Sequence, residues 1–213
     1  MARTLIKAVV VIVLLGGLGW LFVRSAQNTR SEPYEIARTR LSGWTLAIDP
    51  APNVSGVLLG LQPDKQTAAM LFSQVFSRTG ESLSGPVPAA IPLVLQSEFS
   101  ATQAGTLTAD ALLTSARAAG LASSPFEPRC MAHRRISAPG ITRQVYFLRV
   151  DWPAFAAFRQ QAAEQMRTAG GNGLDPAALS PIFIVAATDG AFSRWLPLRP
   201  EAEDDCLAPM AVK

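Results

Sequence analysis

The stretch RCMAHRRIS, residues 129 to 137, gathers residue types that do chemistry. It holds His133, the single histidine of the chain, together with Cys130, Arg129, Arg134 and Arg135. A histidine beside a tyrosine suggests general base catalysis. Clustered guanidinium groups suggest recognition of a phosphate or carboxylate. A purely structural account competes with both. Pro139-Gly140 follows the stretch, and QVYFLRV, residues 144 to 150, comes next. Proline followed by glycine fits a type II turn, so the two runs predict a β-hairpin; type II is not the favoured two-residue hairpin turn, and a longer loop is the alternative. In the register set by residues 138 to 141, His133 lies opposite Tyr146. A histidine there can pack or hydrogen-bond across the strand pair with no catalytic role. Alternation also splits Arg129, Arg134, Arg135, Arg143 and Arg149 between two faces, and charges protect sheet edges from wrong pairing. His133, Arg134, Arg135 and Tyr146 are thus a candidate catalytic or anion-binding cluster, with the sheet role as the competing account.

The second cysteine, Cys206, ends the acidic run Glu201-Ala202-Glu203-Asp204-Asp205. Two cysteines 76 positions apart are poor zinc ligands. In an oxidising compartment they most simply pair. The expected Cys130–Cys206 disulfide would carry the acidic run to Arg129, Arg134 or Arg135. Chain entropy assigns closure of a loop this long about 4.5 kcal/mol.

No nucleophile elbow, phosphate-binding glycine loop or dinucleotide fingerprint occurs. One histidine cannot supply a His-rich metal site. No cofactor and no metal are expected, and the chain leans away from enzymes. Asp64, Asp110, Asp151, Asp175 and Asp189 precede or begin predicted helices, and N-capping accounts for each.

The elements that must position these residues begin with a membrane segment. Residues 8 to 23 carry no charge and are bracketed by Lys7 and Arg24. As a helix they span about 24 Å, against a hydrocarbon core about 30 Å thick. Leu5 and Ile6 lengthen the run, Lys7 and Arg24 can snorkel, and Trp20 suits an interface. The expectation is an uncleaved signal anchor, with residues 5–24 crossing the inner membrane once. The alternative is a cleaved signal peptide and a soluble periplasmic domain. Arg24, three positions from a cut after Ala26, argues against it. Basic residues flank both ends, so charge does not set the orientation. Long domains cross regardless of flanking charge, which favours an extracytoplasmic domain.

The formal charge of +3 belongs to this segment. Without Arg3, Lys7, Arg24 and Arg30, the chain has 15 basic and 16 acidic residues. That balance excludes nucleic acid as a partner.

Beyond the anchor, strands are predicted at residues 44–48, 54–62, 92–99, in the hairpin and at 182–187. Gly56 and Gly60 mark bulges or close backbone approach in the second strand. Helices are predicted at 65–79, from Thr108 and Asp110 to Gly120, at 151–169, and near 192–196. Their apolar stripes are Ala68, Leu71, Phe72, Val75 and Phe76, then Leu112, Leu113 and Ala116, then Phe155, Phe158, Ala162 and Met166. The fold class is α/β or α+β: an N-terminal transmembrane helix, then one domain with a mixed β-sheet and packed helices. Residues 1–30 are the anchor, 31–43 a linker and 44–213 the domain. The expected role is interaction or assembly at the cell envelope, with an envelope protein as partner. The alternatives are an anchored hydrolase or transferase acting on an anionic substrate, and a small-ligand-binding domain. A pocket at His133 or Arg135 would favour the enzyme; an exposed apolar patch would favour the interaction role.

Overall fold

The structure is a computed structural model that describes Gly17 and residues 32–102, 105–198 and 205–213. The expected span at residues 5–24, Gly17 apart, lies outside the described residues, as do Glu201 to Asp204. Among the described residues no helix is long and apolar enough to cross a membrane. The chain divides into Met1–Glu32 and Pro33–Lys213, and the second unit carries the β-sheets.

In chain order the elements are β1 (Tyr34–Ile36), a 3-10 turn (Arg38–Leu41), β2 (Thr45–Ile48), the one-turn helix α1 (Pro52–Ser55) and β3 (Val57–Gln62). Next come α2 (Lys65–Thr79), β4 (Ile91–Leu95), α3 (Gln96–Thr102), α4 (Ala109–Ala118), β5 (Glu127–Ala138) and β6 (Ile141–Asp151). The chain ends with α5 (Pro153–Thr168), β7 (Ile182–Ala187), a second 3-10 turn (Phe192–Trp195) and β8 (Cys206–Val212). The fold is mixed α+β. Five strands form one sheet in the order β1-β8-β5-β6-β7, with β1 parallel to β8 and the other pairs antiparallel. Strands β2-β3-β4 form a second, antiparallel sheet, where the sequence reading expects a single mixed one.

Helix α2 follows its sequence signals. The Asp64 side chain accepts from the Gln66 and Thr67 amides at 2.8 and 3.0 Å, and Gly80 closes the helix at φ 62. The Thr67 hydroxyl, followed by the Thr67 amide, holds the Asp64 carboxyl below its usual pKa. Leu71 and Val75 are buried, but Phe76 lies at the stripe's edge, 49% exposed, and stacks on Phe72. In α5 the whole predicted stripe of Phe155, Phe158, Ala162 and Met166 is buried.

Three differences from expectation have clear physical causes. The strand predicted at 92–99 stops at Leu95, and α3 begins. The Glu98 carboxylate reaches back to the Leu95 N–H at 2.9 Å, which is the glutamate half of a capping box. Of the five aspartates read as caps, Asp64 is one by its hydrogen bonds, and others act differently. Thr108 caps α4, with Asp110 in its first turn. Trp152 stands at the start of α5, and Asp151 ends β6 beside Arg129. Asp189 accepts from the Trp195 indole instead of capping. Finally, the linker drawn at 31–43 contains β1 and the first 3-10 turn. Three residues pairing with a C-terminal strand leave no local periodicity to read.

Arg159 is fully buried. All five of its donors are used. Nη1 donates to Glu98 Oε2 at 2.8 Å and the Leu93 carbonyl at 3.2 Å. Nη2 donates to Glu98 Oε1 at 2.7 Å and the Asp175 carbonyl at 2.5 Å, and Nε donates to the Pro176 carbonyl at 3.4 Å. One side chain on α5 thereby holds β4, α3 and the 175–176 turn. The Leu93 carbonyl and the Leu95 N–H of β4 are satisfied by these two side chains and not by another strand. Arg159→Met strands a carboxylate of which 13% is exposed, and is expected to cost about 3–5 kcal/mol. An unchanged urea midpoint would show that the pair does not hold the elements together.

Candidate functional site

The hairpin forms in the predicted register. Ala138 pairs with Ile141, leaving Pro139-Gly140 as the loop, and Gly140 adopts φ 78 as a type II turn requires. His133 is opposite Tyr146, with ring centroids 4.7 Å apart and an interplanar angle of 27°. His133 Nε2 lies 2.8 Å from Gln144 Oε1 on the same face. The Tyr146 hydroxyl donates to Glu81 Oε2 at 3.0 Å. The ring therefore stacks on one neighbour and hydrogen-bonds an uncharged amide. None of the four described pockets is lined by His133, Arg134, Arg135 or Tyr146. Among the described residues no cluster of His, Cys, Asp or Glu is arranged to hold a metal ion.

The arginines answer carboxylates of their own chain. Arg129 meets Asp151 at 2.8 Å, Arg134 meets Asp205 at 2.6 Å and Arg143 meets Asp189 at 3.4 Å. Arg134 and Asp205 are only 20% and 15% exposed, so this pair is screened least of the three. Arg149 points at the Cys206 sulfur, 3.8 Å away. Arg135 sits exposed on the His133 face. Arg129 and Arg149 line one pocket of about 520 Å³ together with Asp151, while Arg134, Arg135 and Arg143 lie outside it.

Cys130 and Cys206 form a disulfide with Cα atoms 5.7 Å apart. It joins β5 to β8 diagonally, since Cys130 pairs with Pro209 and Ala132 with Cys206. Cys130 lies in a small core with Ala132, Val145, Phe147, Ile184, Trp195 and Leu198, behind the five-stranded sheet. The opposite face, with Met131, Tyr146, Leu148 and Phe183, packs into the main core.

A second feature lies at the other edge of that sheet. Ser84 makes a two-way backbone bridge to Ala187 at 2.8 and 2.9 Å, pinning the 84–90 loop across the end of β7. The segment Gly85-Pro86-Val87 then walls two pockets. One, of about 340 Å³, is lined by Val54, Val57, Ala90, Pro92, Ile184, Phe192 and others. The second, of about 280 Å³, is lined on its far side by Ala68, Ala69 and Phe72 of α2 and by Phe183 and Val185. No charged side chain lines either. Val87 is 93% exposed and Val54 76% exposed at this surface.

Two glycines allow the approach. A Cβ on Gly60 would sit 2.8 Å from the Ala90 Cβ, and one on Gly56, already at φ 80, 3.0 Å from the Ser193 Cβ. Both fit the close approach that, beside a bulge, is expected at Gly56 and Gly60, and the register also shifts between Leu59 and Gly60. Periodicity does not reveal the surface itself, because residues 84–88 belong to no helix or long strand. The available signal is charge: the sixteen residues between Glu81 and Glu98 carry none.

Compared with protein-family models, curated proteins and solved structures, the chain matches none. His133→Ala is expected to lose about 1 kcal/mol, the scale of one hydrogen bond, and to leave cellular function intact. Complete loss of function at unchanged thermal stability would instead establish a chemical role for the imidazole.

Proposed function

We propose that this chain is a single-pass inner-membrane protein whose extracytoplasmic domain binds an envelope protein partner. The observation that carries the interaction role is the charge-free apolar surface at Pro86-Val87-Pro88, with Val87 93% exposed. Soluble domains rarely leave contiguous apolar surface in water unless something covers it. The stacked His133 weakens the enzyme alternative, because neither it nor Tyr146 lines a described pocket; Arg129 and Arg149 do line one, of about 520 Å³, but Arg129 is paired there with Asp151.

The compartment rests on two supports. Residues 5–24 have the composition of a membrane span. The Cys130–Cys206 disulfide is the kind of bond that persists outside the cytoplasm. Fusions at Lys213 test both. Alkaline phosphatase fused there is expected to be active, and green fluorescent protein dark. The reverse pattern would put the domain in the cytoplasm. Intact mass from the membrane fraction should include Met1 or Ala2; a start near Gln27 would mean that the segment is cleaved.

A further inference from the structure

We infer that the apolar surface takes an extended, uncharged segment of a second protein, laid along the Gly85–Val87 ridge with successive side chains entering the two pockets. This rests on the interaction role proposed above and names the chemistry of the partner. The two pockets share the wall Gly85-Pro86-Val87, and the alternation of β7 sets them on opposite sides of it. Strand β7 is divided the same way: Ile184 contributes to one pocket, and Phe183 and Val185 to the other. Alternate residues of an extended chain point to opposite sides, so such a chain running along the ridge reaches both pockets. A helix presents a single stripe and would fill one.

Charge selects the occupant further. The chain as a whole is 16% charged, yet neither pocket has a charged lining residue. A charged side chain placed there would lose its hydration with nothing to pair with. The binding mode follows from the prolines. Pro86 and Pro88 have no N–H to donate, so an incoming strand cannot complete a full hydrogen-bonded ladder. The end of the β7 edge is already taken by Ser84 at Ala187. Recognition therefore rests on apolar side chains in the pockets. The prolines also restrict the ridge before binding, which lowers the ordering cost.

The test uses the full chain in lipid nanodiscs, so that detergent does not fill the pockets. An mRNA-display library of random decapeptides is selected on it, and enriched peptides are measured by fluorescence anisotropy. The expected pool has adjacent apolar residues and few charges. Its affinity should fall at least tenfold in both Val87→Asp and Val54→Asp. Both sites are highly exposed, so thermal midpoints should hold. Ile136→Asp, at a half-exposed position on the hairpin, adds the same charge elsewhere and should bind normally. No enrichment, a pool rich in charge, or binding insensitive to Val87→Asp overturns the inference. Val87-dependent binding of palmitate without peptide binding also overturns it, in favour of a lipid site. The reporter fusions read the compartment independently of all these outcomes.

Discussion

Strand β8 reaches the sheet after a long excursion through β7 and the second 3-10 turn, and a covalent bond reinforces its backbone pairing with β5. The Cys130–Cys206 disulfide fastens it to β5. Much else then depends on β8. Among the described residues it is the only strand that β1 pairs with, through Tyr34 to Met210, Glu35 to Ala211 and Ile36 to Val212. Lys213 N donates to the Ile36 carbonyl at 3.0 Å, and Arg38 N returns a bond to the Lys213 carbonyl at 2.7 Å. The Gln74 amide brackets Glu35 from α2, accepting from its N–H and donating to its carbonyl. The entry of the chain into the domain is thus held by its exit, and the exit by the disulfide. Joining residues 76 apart removes freedom mainly from the unfolded chain.

The same bond explains the basic hairpin. With Cys206 fixed, Asp205 is placed against Arg134 in a partly buried pair. Arg149 turns to the sulfur, and Arg129 and Arg143 find Asp151 and Asp189. Much of the positive charge of residues 129–149 is answered within the molecule. The apolar surface left in water lies at the far edge of the sheet, where the charge-free loop between Glu81 and Glu98 exposes Val87. Arg159 and Glu98 form the second fixed point. They hold β4 and α3, and so set the position from which Ala90 and Pro92 face the larger pocket.

Sequence carried the elements whose signals are local. Asp64 and Gly80 bracket α2 to the residue, and the α5 stripe is buried as its spacing requires. Pro139-Gly140 set the register that pairs His133 with Tyr146, and Gly60 signalled a bulge or close approach, which the structure shows against Ala90. The illegible parts depend on partners distant in sequence. Strand β1 is three residues long and exists because β8 is there. Glu98 reads as part of a strand until Arg159, 61 positions away, and the Leu95 amide claim it. Asp151 and Asp189 have the right type and place for caps, yet an arginine and a tryptophan take them. The apolar surface brings together residues 54–57, 84–92 and 184–196, and no window of the sequence contains it.

Amide hydrogen exchange with and without reductant tests the dependence on the disulfide most directly. If β8 holds β1, reduction should speed exchange in Tyr34–Ile36 and Cys206–Val212 together. Exchange in Val57–Gln62 and Ile91–Leu95 should stay slow, because Arg159 and Glu98 hold that sheet independently. Unchanged protection of both terminal strands after reduction would contradict the account, as would two free thiols in protein taken from its native compartment.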